Sequence, residues 1–287
     1  MSGKEIVIPL LGQKIAGLSF NEGKPGLPIL ALHGWLDNAA SFAFLAPLLG
    51  NQVIALDLPG HGLSDHKPPG AVLHFMDLVI DIIRVADHLG WERFALLGHS
   101  LGAAVSTMIA GTIPDRIQAV ALLDGLGPFT KPASQTPAQL RLFLEKMKAK
   151  GNKTKIHYAS VDEAVKARLK ANTINLEGAR LLINRGLKQV SDGKWSWRTD
   201  PRLMLPPALL LTEEQVLAFL HEIVSPLYII RPESGYPFST EIVQGRLNVL
   251  KARQEINIMQ LPGHHHLHMD NPTLVAESLQ GFLNGLK

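Results

Sequence analysis

The chain has 287 residues, no cysteine, 28 Lys and Arg against 25 Asp and Glu, and a formal charge of +3. That length suits one large domain or a domain carrying an insertion, and 46% hydrophobic with 18% charged residues suits a packed core rather than a disordered chain. The missing cysteine excludes disulfides, a thiol nucleophile and thiolate metal sites, and fits a reducing compartment, while +3 on this length gives no footing for nucleic-acid binding. The N-terminus, MSGKEIVIPLLGQKIAG, is too broken by Pro9, Gly12 and Gln13 to read as a signal peptide. The longest nearly apolar stretch, Leu203 to Leu211, has 9 residues and two prolines, against ~20 needed to span a bilayer. A soluble, cytoplasmic protein without a transmembrane segment is expected.

The first 125 residues alternate strand-like and helix-like runs. Ile6–Ile8 and Ile15–Phe20 read as a hairpin of short strands. Pro28–Leu32 (PILAL) is a continuous apolar run, as expected of a strand buried on both faces, and Gln52–Leu56 (QVIAL) is the next. Between them Ser41–Leu49 has helical spacing. After the turn-rich DLPGHGLSD (57–65), His74–Leu89 places apolar residues three and four apart, and Gly90 stops the helix. Phe94–Leu97 (FALL), a helix Leu101–Gly111 and the strand Ile117–Leu123 (IQAVALL) follow. This rhythm predicts a parallel sheet flanked by helices.

From about Leu126 to Ile223 the rhythm stops. Gln139–Lys148, Val161–Lys170, Leu176–Val190 and Glu213–Ile223 read as amphipathic helices, with proline-rich joints and no convincing buried strand. The α/β pattern resumes at Pro226–Ile230 (PLYII), a helix near Glu241–Lys251, the strand Glu255–Leu261 and a last helix near Thr273–Leu286. The expected organisation is therefore an α/β core, 1–125 and 226–287, interrupted by a helical lid, 126–225. Between Lys131 and Asp200 there are 15 Lys/Arg and 6 Asp/Glu, so that stretch carries +9 and the rest of the chain −6. Solvated helix faces account for such a block, and a basic surface that draws in an anionic substrate is the sharper reading. Trp195, Trp197, Phe143, Met147, Leu181, Leu182 and Phe219 of this stretch are expected mainly to pack it, with some lining an apolar pocket.

Gly98-His99-Ser100-Leu101-Gly102 matches G-x-S-x-G and stands between a buried strand and a helix. A Ser on so tight a strand-to-helix turn projects its hydroxyl above the sheet, and the amides at the helix start face developing negative charge. Acyl transfer needs a second N–H donor for the oxyanion. His33-Gly34-Trp35, directly after PILAL, can supply the Trp35 amide beside that of Leu101. A serine nucleophile also needs a base, and His264, His265, His266 and His268 crowd the loop after the last strand. His266-Leu267-His268-Met269-Asp270 has a flavour of a metal-binding run, but Asn271 stands where a further His would be needed, so no metal is expected.

Taken together, HGW (33–35), DLPGHGLSD (57–65), GHSLG (98–102), DGLGP (124–128), WSWRTDPRL (195–203) and GHHHLHMDNP (263–272) resemble enzymes of the α/β-hydrolase fold, and within them the serine hydrolase-like proteins. The resemblance implies a mostly parallel central sheet with an inserted helical lid, a Ser100 nucleophile and no cofactor. In relatives the catalytic His precedes the loop proline by seven positions, which points to His265, then His266, then His264. Many relatives carry the acid after the strand following the lid. Here that segment reads Ile230-Arg231-Pro232-Glu233-Ser234-Gly235 and offers only Glu233, so the resemblance points one strand earlier, to Asp124, with Glu233 as the alternative. His61, Arg198, Asp200 and Arg202 are expected to be structural, and His99 and His268 have no assigned role. The implied activity is hydrolysis of a small carboxylic ester. A thioesterase or acyltransferase on an acyl-thioester, and a non-catalytic binder with the same fold, are the alternatives. Oligomeric state is left open.

Overall fold

The computed structural model describes residues 3–150, 156–235 and 240–285. An antiparallel hairpin opens the chain, β1 (Lys4–Leu10) and β2 (Gln13–Phe20). β3 (Ile29–Leu32), β4 (Val53–Leu56), β5 (Phe94–His99), β6 (Ile117–Leu123), β10 (Leu227–Ser234) and β11 (Ile256–His264) join it in one eight-stranded sheet, ordered β1-β2-β4-β3-β5-β6-β10-β11. From β4 to β11 every pairing is parallel.

Strand alternation sorts the side chains onto two faces. Leu30, Leu32, Ile54, Leu56, Leu96, Val120, Leu122 and Ile229 point to one core. There they meet α1 (Phe75–His88), α2 (Leu101–Thr112), α6 (Glu213–Glu222) and α7 (Thr240–Lys251). Ala31, Ala55, Ala95, Ala119 and Ala121 recur on the other face, and their small size admits the short α8 (Leu267–Asp270), α9 (Pro272–Asn284) and the tight turns of 39–48 close to the sheet. The helix expected over Ser41–Leu49 is two short 3₁₀ turns, Ala39–Phe42 and Ala46–Leu48. Asn38 caps the first through Ala40 N–H, and Pro47 cannot donate the bond a continuous helix would need there.

Between β6 and β10 the chain leaves the sheet. α3 (Thr136–Lys150), α4 (Val161–Ala171) and α5 (Leu176–Gly186) fall where the periodicity puts helices. No buried strand is expected here, and the three that form are short and largely uncovered: β7 (His157–Tyr158), β9 (Trp195–Trp197) and β8 (Leu187–Gln189) make a small antiparallel sheet in that order. α5 stops at Gly186, where Leu187 turns extended to pair with Trp197 of β9, which packs within 3.3 Å of where a Gly186 Cβ would stand. Ala164, Val165, Ile174, Ala179, Leu182, Ile183 and Leu187 make a separate small core, flanked by Tyr158, Trp195 and Trp197. α6 lies in the same stretch of sequence but packs on the sheet side, where Gly111 of α2 lets the Phe219 backbone approach.

Arginines fasten the excursion to the sheet domain. Arg185 of α5 donates from Nε to both Asp57 carboxylate oxygens, at 2.9 and 3.0 Å, and from Nη1 to Glu5 at 2.6 Å. Arg202 binds the Asp200 carboxylate, the ion pair expected of them, and donates to the carbonyls of Lys67, Pro68 and Ala71, while Arg198 donates to the Leu187 carbonyl. Arg246 of α7 spans Glu213 and the carbonyls of Leu126 and Pro128. No helix of the described residues is long and apolar enough to cross a membrane.

Candidate active site

The candidate residues converge on the C-terminal edge of the sheet, at the ends of β3, β5, β6 and β11. Ser100 follows β5 directly, with φ 52° and ψ −111°, and starts α2. A non-glycine residue in the left-handed region is strained, and the sheet holds it there. Ser100 N–H donates to the Leu123 carbonyl at 3.0 Å, which extends the β5–β6 ladder by one bond. The flanking glycines are required by close approach. A Cβ on Gly102 would lie 1.9 Å from the Leu32 carbonyl oxygen, and one on Gly98 would lie 2.5 Å from that of Gly102. Helix α2 therefore starts hard against the strand ends, and the Leu101 amide belongs to its first turn, where no preceding helical carbonyl accepts it.

Asp124 repeats the device one strand over. It follows β6, has φ 46°, and its N–H donates to the Ile230 carbonyl at 2.9 Å. Its carboxylate is 3% exposed and lies 2.5 Å from His265 Nδ1. That bond makes Nδ1 the protonated nitrogen and leaves Nε2 as the basic one. The imidazole itself is partly open, at 28%. The sequence-based preference for Asp124 over Glu233 thus coincides with the contact: Glu233 is an exposed residue of β10. A side chain at Gly235 would meet that carboxylate, since a Cβ there would stand 2.5 Å from Asp124 Oδ1.

The other histidines separate cleanly. His264 ends β11 and is exposed. His266 is buried, with Nε2 3.4 Å from Asp37 Oδ2. His268 is buried with Nε2 2.7 Å from Ser41 Oγ, and burial pushes its pKa down to about 3. His99 donates from Nε2 to the His265 carbonyl at 2.8 Å, and burial holds it neutral, well below its ordinary range. His33 accepts the Leu58 N–H at 3.0 Å on Nε2 and donates from Nδ1 to the Gly34 carbonyl at 2.7 Å. His61 meets His33 edge-on, and burial takes its pKa to about 3. Among the described residues no group of three or more His, Cys, Asp or Glu is arranged to hold a metal ion.

Trp35 sits in a tight turn after β3, closed by Asp37 N–H to the Gly34 carbonyl at 3.1 Å and by Leu36 at φ 63°. Its indole is half exposed and donates to the Leu203 carbonyl at 3.1 Å. Sequence reasoning passed over Asp37, His99 and Arg168. Arg168 of α4 reaches Asp37 from the excursion, and Asp37 is held well below the usual carboxylate range: burial opposes ionisation, and Arg168 and His266 outweigh it. The signal available was a lone Asp in an otherwise small and apolar turn, which has to find a cation if the turn is buried.

Comparison with known proteins agrees with this geometry at the level of family. Residues 28–198 match the model of the alpha/beta hydrolase fold. A serine hydrolase-like protein of Dictyostelium discoideum is 32% identical over 98% of this chain and 82% of its own length. Serine hydrolase-like protein 2 of Homo sapiens is 30% identical over 90% of this chain and 87% of its own. A solved hypothetical protein of Pseudomonas aeruginosa PAO1 is 40% identical, with a TM-score of 0.89 over 99% of both chains. With its strained serine after β5 and its mostly parallel sheet, the chain belongs to the α/β-hydrolase fold family and, within it, to the serine hydrolase-like proteins.

Proposed function

We propose that this hydrolase cleaves small carboxylic esters through an acyl-enzyme on Ser100. The observation that carries the reading is the 2.5 Å bond from His265 Nδ1 to the buried Asp124 carboxylate, on the strand beside the strained Ser100. His265 takes the Ser100 proton on Nε2 as Oγ attacks the carbonyl. Asp124 fixes the tautomer and stabilises the imidazolium that forms. The oxyanion is received by the amides of Leu101, at the start of α2, and Trp35. His265 then returns the proton to the leaving alcohol, and water resolves the ester by the same route. The part of 126–225 that precedes α6 acts as the lid over this edge, and its positive charge is not all free to draw in an anionic substrate. Arg168 and Arg185 are occupied by buried carboxylates and Arg198 by a carbonyl.

The test is covalent labelling with a fluorophosphonate probe, the adduct located by peptide mass spectrometry, beside turnover of p-nitrophenyl esters from acetate to long chain and of the matched thioesters. An adduct on Ser100 with ester turnover supports the reading, and faster thioester cleavage would move it to a thioesterase. Folded protein with neither adduct nor turnover would overturn it in favour of a binder.

A further inference from the structure

We infer that Arg168 of α4 is a positioning residue for the reaction: through Asp37 and His266 it locks the loop presenting His265 to the turn presenting the Trp35 amide. The inference rests on the serine-hydrolase reading above.

One buried carboxylate adjoins every part of the site. Asp37 lies two residues beyond Trp35 in the same turn. Arg168 Nη2 binds its Oδ1, and Oδ2 lies 3.4 Å from His266 Nε2 and 3.9 Å from His99 Nδ1. Arg168 Nη2 also stands 3.3 Å from His266 Nε2. His99 immediately precedes Ser100, His266 immediately follows His265, and the His99 ring donates to the His265 carbonyl. The residues neighbouring nucleophile, base and oxyanion donor thus meet around Asp37. Asp37 is 2% exposed and Arg168 11%, so neither charge is solvated enough to do without the other.

The electrostatics give Arg168 the deciding part. Burial pushes His99 well below its ordinary range, and Arg168 is the largest of the charges that favour the ionised Asp37, ahead of His266 and His99. The guanidinium supplies a charge that does not depend on pH, and its Nη2 alone stands against both Asp37 and His266. Without it, Asp37 must recruit a proton or water, and the turn over 34–37 and the loop after β11 lose their common anchor. A displacement of about 1 Å at the reacting groups costs about 100-fold in rate. Arg168 projects from α4, beside the small core of α4 and α5, so it reaches the base loop from outside the sheet domain. Arg185 makes the instructive contrast. It also joins the excursion to a buried carboxylate, but Asp57 is further held by the Ala39 and Leu63 amides, at 2.8 Å each.

The experiment compares Arg168→Met, Arg168→Lys, Asp37→Asn, the double variant Arg168→Met/Asp37→Asn, and Arg185→Met. Each is read for kcat and KM on a p-nitrophenyl ester, fluorophosphonate labelling rate, Tm, and hydrogen exchange over residues 263–271. Arg168→Met is expected to lower kcat and labelling about 100-fold with KM within about threefold, while exchange over 263–271 rises. Lys restores part of the rate. The double variant is no worse than Arg168→Met alone, because the two residues act as one unit. Arg185→Met lowers Tm and leaves kcat within about twofold. Wild-type kcat and wild-type exchange in Arg168→Met would overturn the inference, as would a loss of kcat that merely tracks Tm in both arginine variants. If the wild type neither labels nor turns over, the serine-hydrolase reading falls and takes the catalytic role with it. Unchanged exchange over 263–271 would separately remove the anchoring role.

Discussion

The sheet and the excursion between β6 and β10 are held by different forces. β3 and β4 are buried along their whole length, and their side chains feed two apolar cores on opposite faces. Such burial contributes roughly 25 cal/mol per Å² and has no preferred direction. Apart from α6, which packs on the sheet side, the excursion has only a small core shared with Met269, and Arg168, Arg185 and Arg202 tie it to Asp37, Asp57 and the carbonyls of 67–71. Buried ion pairs add little net stability over well-packed apolar residues, but they tolerate few geometries. The sheet therefore supplies stability and the arginines supply orientation. The difference is testable because single substitutions break one without the other.

The largest expected effect is on activity alone. Ser100→Ala and His265→Ala should each lower ester turnover at least about 10⁴-fold, some 5 kcal/mol of barrier, with Tm nearly unchanged. Asp124→Asn should cost about 10³- to 10⁴-fold, because an amide holds the wrong tautomer, while Glu233→Gln stays within about twofold. Steady-state kinetics with thermal melts on the same preparations check this. A dead Glu233→Gln would move the acid to β10.

Next comes acid sensitivity of the loops above the sheet. His61 and His268 titrate near pH 6.5 when unfolded and stay neutral to about pH 3 when folded, so stability falls as pH falls below 6.5. Each costs about 1.4 kcal/mol per pH unit, and the pair about 4 kcal/mol at pH 5. Burial lowers His33 and His99 too, in the same direction, and Asp37 adds its loss only below its ordinary carboxylate range. Urea midpoints at pH 7.5 and 5.0 measure the drop, and a flat profile would show that these imidazoles are charged in the folded state.

What the sequence made legible divides along the same line. ILAL, VIAL and FALL announce buried parallel strands by being apolar throughout, and GHSLG is readable because its glycines and serine are contiguous. The preference for Asp124 rests on the missing Asp after PLYII, in a segment that offers only Glu233, while the clash a side chain at Gly235 would make with the Asp124 carboxylate is visible only in the fold. The excursion was less legible. β7 and β8 have two and three residues, too few for an alternating pattern to show. Arg185 and Asp57 are 128 residues apart, and nothing local in either marks the pairing. Asp37 was missed for a related reason: its role is to be surrounded, by residues from α4, β5 and the loop after β11.

Within the sheet, Leu56→Ala should cost about 3 kcal/mol, the transfer of a fully buried Leu plus the cavity left behind, and should lower the single unfolding transition as a whole. Arg185→Met should cost less, about 2 kcal/mol, although it uncovers a carboxylate buried as completely as Leu56, because Asp57 keeps two amide donors. Its signature should differ in kind. The methionine stem still fills most of the space, so the sheet keeps its packing while α5 loses its fixed bearing on the 57–65 turn. Limited proteolysis should then cut within 126–225 well below the melting temperature, which Leu56→Ala should not allow. Equal protease resistance in the two variants would mean that the excursion is held by its apolar contacts after all, and the division between burial and direction would fail.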